Sequence, residues 1–223
     1  PASVNRIKTD SGTTCCLFYN GEFYDNVLVQ RRGGWTSTQP FFKKYSHQFK
    51  FPEGHAMKYR IGAPRADNIN VNSAYNDQSY FREYLCWESY REAGAPGSTS
   101  FHVEMRLNGG FYCLGVFVEQ PDDDFLERNG YDERGALYKG QNNNTFLTST
   151  SGLVKKRPRD SDLSDLQALV NGLNNGSAAD KERYAFDNVD LPVLMSHYAV
   201  EVAVFDMDSK HKNYFVYRDT YGD

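Results

Sequence analysis

Asp206, Asp208 and Asn213 stand close together in the segment VFDMDSKHKNYFVYRD, which runs from Val204 to Asp219. An aromatic stretch, Tyr214, Phe215, Val216 and Tyr217, follows at once. Aspartate, then asparagine a few residues later, then a strand, is the pattern a phosphoryl-transfer loop requires. A carboxylate orients or deprotonates the attacking hydroxyl, and an amide oxygen holds a metal ion on nucleotide phosphates. On its own the segment reads more simply as a turn, because Asp and Asn side chains bond their own backbone there.

A second group with usable chemistry is Arg31-Arg32-Gly33-Gly34, with Ser37 and Thr38 behind it. Backbone N–H groups and guanidinium meet phosphates well, and glycine permits close approach. A surface hairpin is the simpler alternative. The basic run Val154-Lys155-Lys156-Arg157 suits either a solvated loop or a peptide contact. His197 lies in an apolar stretch and reads as a core histidine.

The elements that must position these groups follow from periodicity. Cys15 to Tyr19 and Phe23 to Arg31 read as strands joined by the hairpin signal Asn20-Gly21. From Phe42 to Phe51 the chain alternates again, Tyr45, His47 and Phe49 on one side and Lys44, Ser46, Gln48 and Lys50 on the other, a strand with a basic face. Residues 52–76 read mainly as loop. Asp77 to Ala93 reads as a helix stopped by Gly94 and Pro96. Phe101 to Leu107 and Phe111 to Val118 form a hairpin across Asn108-Gly109-Gly110, and Asp123 to Asn129 a short helix. Residues 139–160 read as a polar excursion. Leu163 to Leu173 and Leu191 to Val204 read as helices, the second with Pro192 in its first turn and apolar enough to be buried. A mostly β half precedes a mostly α half, the element order of a bilobal kinase.

Composition narrows the class. The 223 residues are 39% hydrophobic and 15% aromatic, which excludes a disordered chain. A net charge of −4 without a basic stripe argues against a nucleic-acid binder. Cys15, Cys16, Cys86 and Cys113 have no zinc-site spacing and read as packing residues. No apolar run is long enough for a membrane span. The first residue is Pro1 rather than Met, the mark of a processed product or excised fragment.

Three blocks resemble the spore-coat protein H (CotH-like) kinases, atypical secreted or spore-associated protein kinases. QRRGGWTSTQPFFKKYSHQFKF is similar to the family's Arg-Gly-Asn-Ser-Ser loop, Lys-Lys-Ser-Tyr and strand. NDQSYFREYLCWESYREAGAP, with the hairpin VEMRLNGGFYCLGVFVEQPDDDFLERNG, resembles its helix ending at Gly-x-Pro and its Gly-Val-Tyr-x-x-x-Glu-Gln exit. The segment from Val204 to Asp219 resembles Asn-Trp-Asp followed by Asn-Tyr-Tyr-Leu-Tyr-Arg. Together they cover most of residues 27–219 in the family's order. One departure is Gly34-Trp35, where Asn-Ser is common.

The resemblance implies an α+β, kinase-like bilobal fold: a β-rich N-lobe over about residues 1–120 and an α-rich C-lobe over about 121–223. It implies phosphorylation of protein Ser/Thr from ATP with Mg²⁺ or Mn²⁺. Asp206 is the expected catalytic carboxylate, with Asp208 nearly equal because it precedes Asn213 at the spacing of ordinary protein kinases. Asn213 is the expected metal ligand. Nucleotide contacts are expected from Arg32 and Gly33, from Lys44 or Lys50, from Glu83 on the helix beside Arg82, and from Glu119 and Gln120 where a kinase hinge meets adenine. The family continues into a Pro-Trp-Asp-x-Asp segment carrying a second metal-binding aspartate, so a truncated kinase domain is expected. The alternative is a degenerate kinase fold that binds a protein or polysaccharide at a surface or envelope without catalysis.

Overall fold

The structure, a computed structural model, describes residues 12–33, 44–141, 147–206 and 212–220. Asp208, His211 and the loop positions Gly34, Trp35, Ser37 and Thr38 lie outside the described residues. The chain divides into two compact units, Pro1–Glu88 with Ser98–Phe125, and Ser89–Gly97 with Leu126–Asp223.

The first unit is built on a six-stranded antiparallel sheet. Its strands are β1 (Thr13–Tyr19), β2 (Glu22–Arg31), β3 (His47–Lys50), β4 (Asn68–Asn72), β5 (Ser100–Leu107) and β6 (Gly110–Glu119), in spatial order β1-β2-β3-β4-β6-β5. Two tight turns set the register. Asn20 and Gly21 both have positive φ (47° and 86°), as do Asn108 and Gly109 (51° and 80°), the backbone that matches strand twist in a two-residue hairpin. Helix α1 (Arg82–Glu92) follows β4, and Asp77 accepts the Arg82 N–H at 2.9 Å to satisfy its first turn.

The two sheet faces differ in chemistry. Pairing places Val29, Phe49, Ile69, Val71 and Phe117 on one side. They pack with Tyr24, Met57 and Tyr59 into the unit's core. The opposite side carries Gln30, Gln48, Lys50, Asn68, Asn70 and Asn72, bounded by buried Val116 and Val118. This face is polar where the other is apolar, and Asn70 on it is 2% exposed.

In the second unit, β7 (Ala136–Gly140) lies between β8 (Leu153–Arg157) and β9 (Phe215–Arg218). The helices are α2 (Asp123–Arg128), which begins in the first unit, and then α3 (Ser164–Asn174), α4 (Ala178–Asn188) and α5 (Leu191–Ala203). Ala136, Tyr138, Leu153 and Leu166 form its core. Tyr138 donates to Asp165, which Arg218 also meets at 3.3 Å, tying β7, α3 and β9 together.

Several expectations are corrected. Residues 52–76 contain β4, whose Asn-rich sequence hides a strand. The excursion 139–160 contains β8 and the end of β7. Helix α4 was not expected; it starts on a capping box in which Ser177 and Asp180 exchange hydrogen bonds. The strand expected from Phe42 begins, among described residues, at His47. Helix α5 is not buried all round: Met195, Tyr198 and Val202 are 57%, 45% and 79% exposed, whereas Val200 and Glu201 are buried. Its apolar composition overstated its packing, because the described chain covers only one stripe of it.

Candidate active site

The residues expected to meet phosphates that the structure describes include Arg32, Gly33, Lys44 and Lys50, all in the first unit. β2 ends at Arg31, and Gly33 has φ 97°, a turn a side chain would strain. The returning limb is fixed by one backbone and two side-chain hydrogen bonds. Arg32 N–H bonds Ser46 O at 3.0 Å, the Ser73 hydroxyl donates to Lys44 O at 3.0 Å, and Tyr45 N–H bonds the Tyr112 hydroxyl at 2.7 Å. The Arg31 guanidinium stacks 3.4 Å above the Tyr45 ring.

Arg32 and Glu83 are brought together through a residue the sequence did not single out. Arg32 Nη1 donates to Asn72 Oδ1 at 2.5 Å, and Asn72 Nδ2 donates to Glu83 Oε1. Burial lowers the Arg32 pKa and raises that of Glu83, and each opposes the shift of the other. The signal that could have found Asn72 is the alternation Asn-Ile-Asn-Val-Asn, a strand pattern with one polar face just ahead of the helix.

The two candidate lysines are separated. The Lys44 ammonium lies 4.8 Å over the Tyr112 ring, before β3 begins. Lys50 is exposed and stands opposite Asn68, on the sheet face that carries Asn72. Glu119 and Gln120 are tied into the framework. Glu119 is 4% exposed and accepts Thr99 N–H at 2.8 Å, while Gln120 Oε1 accepts Asn70 Nδ2 at 3.0 Å. Arg82 lies toward Asp77 at 3.5 Å and is 81% exposed, so it takes no part in the Glu83 contact.

Asp206 and Asn213 belong to the second unit. Helix α5 starts with Asp190 capping Val193 N–H and Pro192 in the first turn, and it ends in a left-handed residue, Phe205 at φ 57°. The N–H of Phe205 bonds Val202 O at 3.2 Å, and that of Asp206 bonds Glu201 O at 2.9 Å. These two bonds are a Schellman stop, so Asp206 leaves the helix in a fixed direction. His197 on this helix meets Glu201 at 3.1 Å and stacks on Tyr90, a structural role.

Asn213 is also left-handed, at φ 65°. Its N–H bonds Gly140 O at 2.8 Å, and Gly140 N–H bonds Tyr214 O at 2.9 Å, which extends the β7–β9 ladder to the loop's exit. A Cβ on Gly140 would stand 2.7 Å from the Tyr214 ring, so glycine is needed there. Asp206 and Asn213 are therefore each fixed by backbone hydrogen bonds, to Glu201 O and to Gly140 O. Their oxygens are the hard donors that Mg²⁺ or Mn²⁺ prefers. Among the described residues no three His, Cys, Asp or Glu side chains gather as a metal cluster.

Residues 29–223 match the family described as CotH kinase protein. The chain belongs to the CotH kinase family. The match begins inside β2 and takes in Arg32, Asn72, Glu83, Asp206 and Asn213. An α+β architecture fits this CotH kinase assignment, and the family points to kinase-like function and use of ATP. No curated protein matches the chain. Among the described residues no helix is long and apolar enough to cross a membrane.

Proposed function

We propose that this CotH-family chain is a bilobal protein kinase domain that moves the γ-phosphoryl group of ATP to a Ser or Thr hydroxyl of a protein. The observation that carries the reading is the Schellman stop that presents Asp206 ahead of Asn213, in a chain of a kinase family. Asp206 orients the acceptor hydroxyl and takes its proton. Asp208 is the alternative carboxylate for that step. Asn213 offers its side-chain oxygen to the divalent cation, which neutralises charge on the transferring phosphates. Arg32, with Gly33 beside it, meets the phosphates, and Lys44 or Lys50 adds positive charge. Glu83 balances that charge. Backbone groups at Glu119 and Gln120 other than the Glu119 N–H, which bonds Thr99 O, serve the adenine, since both side chains are already used. Such a site works by positioning and charge neutralisation.

The test is thermal shift with ATP and Mn²⁺, followed by phosphoryl transfer to protein Ser/Thr, on the chain and on Asp206→Ala, Asp208→Ala and Asn213→Ala. Binding with transfer that is lost in Asp206→Ala or Asp208→Ala is expected. Absence of any nucleotide- and metal-dependent shift in the unsubstituted chain overturns the reading. Binding without transfer favours a degenerate kinase fold.

A further inference from the structure

Where a strand residue faces the helix that follows it, protein kinases place a lysine that pairs directly with a helix glutamate. Here β4 precedes α1, and the β4 residue that touches the helix glutamate is Asn72. A neutral carboxamide cannot hold a phosphate by charge. It can hold a cation that does.

We infer that Asn72 is the positioning residue of the nucleotide phosphate site: its carboxamide carries the Glu83 carboxylate's hold across to the Arg32 guanidinium, and Arg32 is the cation presented to the phosphates. The inference rests on the kinase reading above and adds a residue to it.

Three observations converge on this role. The first is direction. Asn72 accepts from Arg32 through Oδ1 and donates to Glu83 through Nδ2, so one side chain satisfies an obligate donor and an obligate acceptor at once. Leucine can do neither, and aspartate would accept from Arg32 but repel Glu83.

The second is fixation. The Arg32 backbone N–H is already bonded to Ser46 O. Asn72 then holds the other end of the side chain, leaving guanidinium donors for a planar phosphate contact. Asn72 itself closes β4, where pairing with Val116 of β6 sets its face.

The third is electrostatics. Both charged partners are half-buried, and burial works against the charge on each. A cation that is desolvated and held through a neutral bridge gains from an arriving anion, because a polyphosphate supplies the charge compensation that Glu83 supplies only from behind Asn72.

The experiment compares ATP with adenosine, which shares the base and sugar but has no phosphate. Titration calorimetry or a fluorescent-nucleotide competition gives both affinities for the unsubstituted chain, N72A, N72D and E83Q. One lost hydrogen bond to a charged group corresponds to about a tenfold loss. N72A and N72D are expected to weaken ATP about tenfold or more while adenosine stays within about twofold. E83Q, which keeps an acceptor for Asn72 Nδ2, is expected to lose less than either.

Equal losses for ATP and adenosine, or an unchanged ratio in both Asn72 variants, overturn the relay while leaving the kinase reading intact. An unsubstituted chain that binds neither ligand overturns the kinase reading and the phosphate role together. If N72A does not fold, N72D, which has nearly the same size, supplies the same comparison.

Discussion

Arg32 and Asp206 each stand just past the end of a regular element, yet they are held in opposite ways. The Arg32 guanidinium is fixed by side chains: Asn72 holds it, Glu83 holds Asn72, and Ser73 and Tyr112 fix the returning limb beside it, while its backbone N–H bonds Ser46 O. Asp206 is delivered by backbone. A Schellman stop with a left-handed Phe205 ends its helix, and the N–H of a left-handed Asn213 bonds Gly140 O. A side-chain network can be retuned by single substitutions, whereas a backbone device resists them and stores strain of roughly 1–3 kcal/mol per residue. In the first unit, substitutions should therefore alter affinity. In the second, they should alter turnover with little change in where the chain goes.

The largest expected effect tests the second half of that contrast. Asp206→Asn keeps the backbone N–H that bonds Glu201 O, so the helix stop survives. Losing a positioned general base costs about 10²- to 10⁴-fold in rate. Phosphoryl transfer should fall by that amount, with ATP affinity and Tm close to those of the unsubstituted chain. A fall in Tm comparable to a core substitution would show that the Asp206 side chain, and not only its backbone, builds the loop.

The next effect concerns stability in the first unit and its pH dependence. Burial, then the charge of Arg31, pushes the buried His47 down to about 4. Below its ordinary value near 6.5 the unfolded chain takes up a proton that the folded chain refuses. This contribution to stability is therefore present above pH 6.5 and is lost as pH falls towards 4, by up to about 3 kcal/mol. Asp122 runs the other way. Burial first, then Asp124 and Asp67, raise it to about 7. Its contribution is present below the ordinary carboxylate range near 3.8 and is lost as pH rises through 7. Between pH 4 and 6.5 the two slopes oppose each other. Asp122→Asn should leave stability unchanged at pH 4, raise it by about 2–4 kcal/mol at pH 7.5, and expose the His47 slope. Urea unfolding at the two pH values reads this, and equal effects at both would refute the Asp122 assignment.

What the sequence disclosed follows the same division. Features written in local backbone chemistry were legible. Asn20-Gly21 and Asn108-Gly109 marked both hairpins, and Pro192 marked the start of α5. The aromatic stretch after Asn213 emerged as β9. The hidden parts depend on partners distant in sequence. β4 was missed because asparagine disfavours strands, although Ile69 and Val71 alternate correctly, and only contact with Arg32 and Glu83 gives Asn72 meaning. Helix α4 was not expected although its capping box, Ser177 and Asp180, is legible in the sequence. Conversely, Glu83 was legible only as one of two adjacent charges, and the structure separates it from the exposed Arg82.

A smaller effect addresses strain directly. Phe205 is 78% exposed and occupies a left-handed conformation that glycine adopts without cost. Phe205→Gly should stabilise the chain by about 1 kcal/mol. It should also lower kcat, because a glycine no longer holds the exit direction of Asp206. Stabilisation with unchanged kcat would mean that hydrogen bonds alone fix the loop, and the contrast between the two halves would weaken.

The smallest effect separates the two lysines. Lys50 lies on the sheet face that carries Gln48, Asn70 and Asn72, while the Lys44 ammonium rests on the Tyr112 ring. A partly exposed cation–π contact is worth about 0.5–1 kcal/mol, so Lys44→Met should cost about that much stability and leave the KM for ATP nearly unchanged. Lys50→Met removes an exposed charge from a polar face that contributes nothing to the core, so its Tm should hold. The loss of one partly screened charge facing a triphosphate should raise KM for ATP by about two- to fivefold. A reversal, with Lys44→Met raising KM and Lys50→Met silent, would move the phosphate site from the sheet face to the loop limb held by Ser73. Arg32 would then act with Lys44 rather than with Lys50.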